Sequence, residues 1–328
     1  MTLDVRPIGE TAGVVNQVLD RVGEAVVGKR QPLRLVLAGI LAGGHVLLED
    51  VPGVGKTLTA RSFAQALGLG FRRVQFTPDL LPSDVTGSYV FDQRTTEFVF
   101  RAGPVFTGLL LADEINRTPP KTQAALLEAM QERQVTVEGT TFPLAEPFHV
   151  LATANPVEYE GTYPLPEAQL DRFLLRVGFG YPTGDEEWDV LTRRIERRRE
   201  EQEVEPVTDA AGLIGLQQAC EAVTVDPTVG RYCVELAAAT RRHRQVLIGA
   251  SPRGSLALLL TARAHALIEE RDFVLPEDVK AVGVAALAHR ITVRPELWLH
   301  DVDGASVVGD VLGSVPAPPT VRPAPNRT

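Results

Sequence analysis

A glycine-rich segment at residues 50–57 constrains the fold of this chain more than any other feature. It reads Asp-Val-Pro-Gly-Val-Gly-Lys-Thr and fits the phosphate-loop pattern G-x-x-x-x-G-K-[ST], except that Asp50 replaces the first glycine. The backbone amides of such a loop form an anion site, Lys56 can neutralise β and γ phosphates, and the Thr57 hydroxyl can ligate Mg²⁺. The segment predicts binding of ATP and Mg²⁺ by Pro52, Gly53, Val54, Gly55, Lys56, Thr57 and Leu58. Aspartate tolerates turn conformations, but the charge of Asp50 must point away from phosphate.

The residues on either side of the loop have the pattern that a phosphate loop requires. Residues 45–49 form a short apolar run typical of a buried strand, and residues 56–67 have a helical pattern. The alternative is that Gly-Lys-Thr occurs by chance in an unrelated turn. Such a turn would not require a buried strand before it and a helix after it. Upstream, apolar residues recur at three- and four-residue steps from 14 to 41, which predicts two amphipathic helices separated near residues 27–29. Strand, loop and helix together predict the start of a βαβ unit.

A second motif, Leu-Leu-Leu-Ala-Asp-Glu at residues 109–114, has the form of a Walker B strand. Asp113 would hold Mg²⁺ through water, and Glu114 would orient and polarise the attacking water. An apolar run that ends in two carboxylates is structural in most proteins, but here it follows a phosphate loop. Core strands at 108–115 and 148–154 and a helix at 119–134 give the alternating order of a parallel α/β sheet.

The rest of the chain divides into inserts, a helical region and a tail. Residues 89–100 and 135–144 each show strand-like residues about a polar turn, and we interpret both as β-hairpins. From residue 184 the pattern becomes helical, including 253–270 and 276–289. The Pro-rich residues 316–328 cannot form a core and are expected to be disordered. The predicted domains are therefore 1–183 and 184–315, followed by the tail.

Composition excludes several functional classes. The chain has 328 residues, and its net charge of −9 disfavours nucleic acid as the main partner. Cys220 and Cys233 match no zinc or redox spacing, which favours buried thiols in a reducing compartment. There is no signal-peptide pattern and no apolar run of membrane-spanning length. We expect a cytoplasmic protein without membrane insertion.

Three stretches together resemble the MoxR family of AAA+ ATPases. They are Asp-Glu-Ile-Asn-Arg at 113–117, Pro-Pro-Lys-Thr-Gln-Ala-Ala-Leu-Leu-Glu-Ala-Met at 119–130, and the segment from Ala-Asn-Pro at 154 to Leu-Asp-Arg-Phe at 170–173. The resemblance covers roughly residues 7–310. It implies an AAA+ P-loop αβα core whose hairpins are the helix-2 and pre-sensor 1 inserts, followed by a smaller all-α lid domain.

The resemblance also implies roles for residues that no local pattern identifies. Asn155 matches sensor 1, which positions water against the γ phosphate, and Arg172 matches the arginine finger, which reaches the nucleotide of a neighbouring subunit. Arg253 matches sensor 2 in the lid. Val27 and Gly28 match the loop near the adenine, although this signal is short.

Each arginine also has a structural interpretation. Arg172 could pair with Asp171 or Glu167 on a helix surface. Arg253 follows a Ser-Pro helix start, where a cation opposes the helix dipole and a phosphate would remove the penalty. The charge-mixed run at 193–201 is expected to be a solvated helix face rather than a nucleic-acid site.

The leading functional hypothesis is a MoxR-type ATPase that forms a homo-oligomeric ring, hexameric by resemblance, and remodels, matures or activates a protein client. By resemblance the client contains a von Willebrand factor A domain. One alternative is a magnesium-chelatase-like motor subunit of the same AAA+ branch. Another is a nucleotide-regulated binding module with little turnover, which Glu114, Asn155 and Arg172 argue against. A DNA-directed protein is disfavoured by the acidic composition.

Overall fold

The computed structural model describes residues 8–155, 162–198, 202–300 and 302–319, and of residues 298–300 only the backbone. Up to residue 177 the elements are α1 (Ile8–Ala25), α2 (Arg30–Leu41), β1 (Val46–Glu49), α3 (Lys56–Ala66), β2 (Phe71–Gln75), α4 (Pro82–Thr86), β3 (Gly87–Asp92), β4 (Glu97–Ala102), β5 (Leu109–Asp113), α5 (Pro120–Glu132), β6 (Gln134–Val137), β7 (Thr140–Pro143), β8 (His149–Ala154), α6 (Glu167–Leu170) and β9 (Leu175–Val177). Then follow α7 (Gly184–Arg197), α8 (Ala210–Ala222), α9 (Pro227–Arg242), β10 (Val246–Ile248), α10 (Pro252–Ile268), α11 (Pro276–Leu287), β11 (Thr292–Val293) and α12 (Gly304–Ser314).

A five-stranded parallel sheet of order β2-β5-β8-β1-β9 forms the centre of the molecule. Every residue of β5 and β8 is buried, because helices cover both faces of the sheet. β1 lies between β8 and β9, with Val46 opposite both Leu151 and Leu175. The carboxyl ends of parallel strands meet at one edge, where open α/β sheets bind their ligands. The segments that follow β1, β5 and β8 therefore converge there.

The two predicted hairpins are present. β3 pairs with β4 and β6 with β7, both antiparallel, with Tyr89 opposite Phe100 in the first. The rings of Phe100 and Phe142 stack at 3.9 Å between centroids, so the hairpins contact each other through aromatic side chains. The αβα core with hairpin inserts agrees with the sequence-based prediction.

The region after residue 184 is helical, as expected, and packs against the first two helices of the chain. α10 contacts α1 and α2, and one continuous hydrophobic cluster includes side chains from both regions, such as Leu37 and Leu258. The lid carries in addition a short antiparallel ribbon of β10 and β11. None of the helices in the described parts of the chain has the length and apolar character needed to cross a bilayer.

Three features predicted from the sequence lie partly outside the residues that the structure describes. They are residues 156–161 of the family motif, residues 199–201 of the charged run, and residues 320–328 of the Pro-rich tail. Cys220 and Cys233 are buried free thiols, as expected. Burial raises the pKa of each thiol to about 12, so both stay protonated and unreactive at neutral pH.

Candidate functional site

The phosphate loop connects the carboxyl end of β1 to the first turn of α3. Gly53 and Gly55 adopt φ angles of 83° and 90°, in the left-handed region that glycine enters without a Cβ penalty. Gly55 is the N-cap of α3, and it carries no side chain that could cap the first amides of this helix. These amides remain available to an anion, which is the requirement of a phosphate site.

Lys56 extends from the loop towards the strand ends. Its amine donates to the backbone oxygens of Asp50 at 2.5 Å and Ala154 at 3.4 Å. Burial lowers the pKa of the amine, whereas the nearby carboxylates, including Asp50 and Asp113, act in the opposite direction. The ammonium group is therefore held at the junction of β1 and β8, where it can meet an incoming phosphate.

Asp50, the departure from the phosphate-loop pattern, faces away from the anion site. Its Oδ2 accepts hydrogen bonds from the amides of Phe179 at 2.6 Å and Gly180 at 2.5 Å, and its Oδ1 accepts from Val51. The carboxylate thus ties the start of the loop to the segment that leaves β9. These partners lie on the segment after β9, which is consistent with the expectation that the charge of Asp50 points away from phosphate.

Asp113, at the end of β5, is held by two side chains. The Thr153 hydroxyl donates to Asp113 Oδ1 at 2.6 Å, and the Arg73 guanidinium donates to Oδ2 at 2.9 Å and 2.7 Å. Asp113 as a whole residue is 8% exposed, and it lines the same cavity as Thr57. A hydroxyl and a carboxylate beside a lysine fit the oxygen ligands that Mg²⁺ prefers next to bound phosphates. In this structure Arg73 supplies the positive charge at Asp113.

Glu114 has a strained backbone and a restrained side chain. Its φ of 56° lies in the left-handed region, which is uncommon for a residue other than glycine and is found preferentially at functional sites. Its Oε2 accepts from Gln75 at 2.7 Å and Arg117 at 3.0 Å, and its amide donates to the Thr153 hydroxyl at 2.8 Å. The Thr153 hydroxyl therefore joins Asp113, the last residue of β5, and Glu114, which follows it, to the neighbouring strand β8.

One cavity of about 370 Å³ brings the predicted phosphate, metal and water-activating residues together. Its lining includes Lys56, Thr57, Asp113, Glu114 and Asn155. Asn155 is 5% exposed and follows directly after β8. This set could hold a triphosphate and a metal ion and could activate a water molecule beside the terminal phosphate.

A second cavity, of about 490 Å³, adjoins the first and shares Gly53, Gly55 and Leu58 with it. Val27 lines this cavity, and Gly28 follows it with a φ of 71°. The opposite wall is formed by α7, through Val190, Leu191, Arg193, Arg194 and Arg197. An apolar slot beside a phosphate loop is suited to a purine base.

The charged run that begins at Arg193 lies partly against the second cavity. No residue of α7 is buried, in agreement with the predicted solvated face. However, three arginines of this helix lie against the candidate nucleotide site. The Arg193 Nη1 atom also donates to the Glu24 backbone oxygen at 2.8 Å, which connects α7 to the end of α1.

Arg172 is not part of these cavities. The neighbouring Leu174 amide donates to the oxygen of His45, just before β1, whereas the phosphate loop leaves the other end of β1 after Glu49. At about 3.3 Å per residue, β1 alone separates these two ends by roughly 10 Å. Arg172 therefore lies at the end of the sheet opposite the phosphate loop of its own chain.

Neither predicted carboxylate partner is paired with Arg172. Asp171 contacts Arg253 and Arg290 of the lid, and Glu167 accepts a hydrogen bond from the Thr292 hydroxyl. Within the described residues, the Arg172 side chain has no hydrogen bond or ion pair. The surface ion pair considered as its structural interpretation is thus not formed.

Arg253 lies beside Asp171, which directly precedes Arg172 in the chain, and does not line the cavity of the phosphate loop. It begins α10 after the N-cap Ser251, whose hydroxyl accepts from the Arg253 amide. Its Nη1 atom lies 3.8 Å from Asp171 Oδ2, and its side chain is 56% exposed. Asp171, and not a phosphate, supplies the counter-charge of Arg253 in this structure.

Sequence reasoning missed Arg73, Gln75 and Thr153. Arg73 and Gln75 are two residues apart on β2, so both face the acidic residues of β5 across the sheet edge. The alternation of polar residues at positions 73 and 75 could have indicated one polar face of a strand. However, Phe71–Gln75 contains too few apolar residues to be recognised as a core strand. Thr153 interrupts the apolar strand β8, and a hydroxyl there was the only indication of its role.

Comparison with known proteins gives the class. Residues 45–175 match the family model "ATPase family associated with various cellular activities (AAA)", and residues 238–309 match "AAA lid domain". A crystal structure of a protein from Cytophaga hutchinsonii superimposes with a TM-score of 0.87 and 40% sequence identity, covering 94% of this chain and 96% of that one. With the sheet order and the phosphate loop, these matches define an AAA+ ATPase fold with a helical lid.

Full-length relatives give the family. Chaperone MoxR1 of Mycobacterium tuberculosis is 41% identical over 327 residues, 95% of this chain and 86% of that protein. YeaC of Bacillus subtilis is 48% identical over 305 residues, 93% of this chain and 95% of that protein. Protein MoxR of Methylorubrum extorquens is 33% identical over 325 residues, 90% of this chain and 93% of that protein. The chain belongs to the MoxR family of AAA+ ATPases.

Proposed function

We propose that this chain hydrolyses ATP as a ring of identical subunits, hexameric by family resemblance, and uses the energy to remodel, mature or activate a protein client. The observation that carries the proposal is the separation of two sets of residues. Lys56, Glu114 and Asn155 line one cavity, whereas Arg172 lies at the opposite end of the sheet and has no hydrogen bond or ion pair among the residues that the structure describes. Because Arg172 is so far from the cavity of its own subunit, it can reach such a cavity only in an adjacent subunit.

In the proposed reaction, the loop amides and Lys56 bind the phosphates of ATP. Thr57 and Asp113 would hold Mg²⁺, which neutralises charge on the β and γ phosphates. Glu114 accepts a proton from the attacking water, and Asn155 orients this water. Asp113 is paired with Arg73 in the present state, so Arg73 must move or share the carboxylate when the metal is bound.

The neighbouring subunit would supply Arg172 to the γ phosphate, where a guanidinium stabilises the charge of the transition state. Arg253 would enter the same pocket, because it lies beside Asp171 on the same end of the molecule. This differs from a lid arginine that serves its own subunit. Both arginines would then act in trans.

A nucleotide-regulated binding module with little turnover is less well supported. Such a module does not need Glu114 in a strained conformation within the phosphate cavity. Two variants separate the alternatives. Lys56→Ala should abolish ATP binding, and Glu114→Gln should bind ATP normally but hydrolyse it at least about 100-fold more slowly. Equally negligible hydrolysis by wild type and Glu114→Gln would favour the binding module.

The same variants test the client. With ATP, Glu114→Gln should retain a protein that contains a von Willebrand factor A domain, as expected from the family. Lys56→Ala should not retain it, because it cannot enter the ATP-bound state. Retention that is identical with and without ATP would contradict nucleotide-driven client binding.

The proposed location is the cytoplasm, and neither DNA nor a membrane is required.

A further inference from the structure

The carboxylate of Asp171 joins the core domain to the lid at two places. Its Oδ1 accepts from Arg290 Nε at 2.8 Å, and Arg290 is 3% exposed. Its Oδ2 lies 3.8 Å from Arg253 Nη1 and 3.4 Å from the Ser251 hydroxyl. The two oxygens of one side chain therefore contact two separate lid segments, the 3-10 turn Ala288–Arg290 and the start of α10.

Arg290 also fixes the backbone on which Arg172 is carried. Its guanidinium donates to the oxygens of Phe173 at 2.7 Å and Leu174 at 3.2 Å, immediately after Arg172. Burial lowers the pKa of Arg290, and the charge of Asp171 opposes this effect. Because a buried guanidinium needs its counter-charge, the segment from Asp171 to Leu174 is held firmly against the lid.

The two arginines left at the surface differ from Arg290. Among the residues that the structure describes, the Arg172 side chain has no partner and the Arg253 side chain has only the contact of 3.8 Å to Asp171. Ion pairs of exposed side chains contribute about 0–1 kcal/mol, so the contact orients Arg253 without trapping it. A triphosphate offers several negative charges and can displace so weak a contact.

We propose that Asp171 is a positioning residue, which holds Arg253 beside Arg172 so that both guanidinium groups meet the triphosphate of the neighbouring subunit together. The proposal rests on the trans mechanism given above. Both carboxylate oxygens of Asp171 are engaged by lid arginines, so in this proposal Asp171 does not bind the nucleotide itself. It acts on the hydrolysis step in the next subunit and not on ATP binding in its own, because its own phosphate loop lies at the other end of the sheet.

The test uses Asp171→Asn in the full-length chain. The variant should bind ATP with wild-type affinity and lose roughly 10- to 100-fold in kcat, since misplacing a group by about 1 Å can cost 100-fold. The matched control is Glu167→Gln, because Glu167 also joins α6 to the lid, through the Thr292 hydroxyl, but holds no arginine within the described residues. The control should keep the wild-type rate.

Mixtures of variants separate positioning from general damage. Asp171→Asn subunits keep an intact pocket, so mixing them with Lys56→Ala subunits, whose arginines are intact, should restore part of the activity. Mixing them with Arg172→Ala subunits should restore none, because neither partner then presents a complete pair of arginines. Equal rates in the two mixtures, or a wild-type rate for Asp171→Asn alone, would overturn the proposal.

A reference mixture of Arg172→Ala and Lys56→Ala reports on the trans mechanism separately. If it recovers activity while the Asp171→Asn mixture does not, Asp171 is not a positioning residue and the ring mechanism stands. If the reference mixture fails, the ring mechanism itself is wrong. If thermal melting shows that Asp171→Asn is unfolded, Asp171→Glu replaces it, because it keeps the buried charge and displaces it by one methylene. Asp171→Glu should then recover activity with Lys56→Ala subunits but not with Arg172→Ala subunits. Equal rates in these two mixtures would overturn the proposal.

Discussion

Gln75 and Glu114 are joined across the edge of the sheet by a hydrogen bond of 2.7 Å from the amide Nε2 to the carboxylate Oε2. Arg117 donates to the same oxygen at 3.0 Å. These two hydrogen bonds hold the Glu114 carboxylate against Gln75 and Arg117. In this state Glu114 is therefore restrained from turning towards a water molecule beside the γ phosphate.

Removal of Gln75 should release this restraint. Gln75→Ala is expected to raise the basal ATPase rate several-fold without a change in ATP affinity, as measured by steady-state hydrolysis and nucleotide titration. Arg72→Ala is the matched control, because Arg72 is an exposed residue of the same strand on its other face. A basal rate that falls with Gln75→Ala would mean that the amide supports hydrolysis instead of restraining it.

Asp50 should stabilise the folded chain more than the glycine that the phosphate-loop pattern has at this position. Asp50→Gly completes the pattern but removes the bonds to the Phe179 and Gly180 amides. Charge-assisted hydrogen bonds are worth about 1.5–3 kcal/mol, so urea unfolding should show a loss of this order. Asp50→Asn, which keeps one acceptor oxygen, should lose less. A stability for Asp50→Gly equal to that of wild type would show that the loop does not depend on this tether.

How far the sequence predicts this molecule depends on whether a feature is local. The phosphate loop, the acidic pair at the end of β5 and both hairpins were predicted because each has a pattern within about ten residues. The strand β2 was not predicted, because Arg72 and Arg73 make it too polar for a core strand. Nor does any local pattern show that Asp171 pairs with Arg290, since the two residues are 119 positions apart.

The same limit applies to the arginines. The pattern of α7 correctly predicts a helix with a solvated face, but it cannot show that this face closes one side of a cavity beside the phosphate loop. The position of Arg253 beside Asp171 likewise follows from the packing of the lid, which depends on contacts between α10 and the first two helices. These contacts bring together residues that are far apart in the chain.

A buried histidine should make stability depend on pH. His149 Nδ1 lies 2.9 Å from the Gly44 backbone oxygen, and Nε2 lies 3.0 Å from the Gln217 amide nitrogen, which requires a neutral ring with the proton on Nδ1. Burial is the main reason that the pKa of His149 is lowered from 6.5 to about 4. The unfolded chain therefore binds a proton before the folded one does as pH falls.

The free energy of unfolding should consequently decrease as pH falls from 6.5 towards 4. Each unit of pKa shift corresponds to about 1.4 kcal/mol. Denaturant unfolding across this range should show the decrease, with a shallower slope for His149→Gln, which does not titrate. Parallel slopes for wild type and variant would show that His149 is not the group responsible.

The trans action of Arg172 is the central claim, and the most direct test is a mixture of two inactive variants. Arg172→Ala should bind ATP nearly normally but hydrolyse it about 10³- to 10⁵-fold more slowly, the usual contribution of an arginine finger. Lys56→Ala should not bind ATP at all. When they are mixed, interfaces that pair an intact pocket with an intact Arg172 should restore part of the wild-type rate. Absence of recovery, or hydrolysis by Arg172→Ala alone at the wild-type rate, would contradict the ring mechanism.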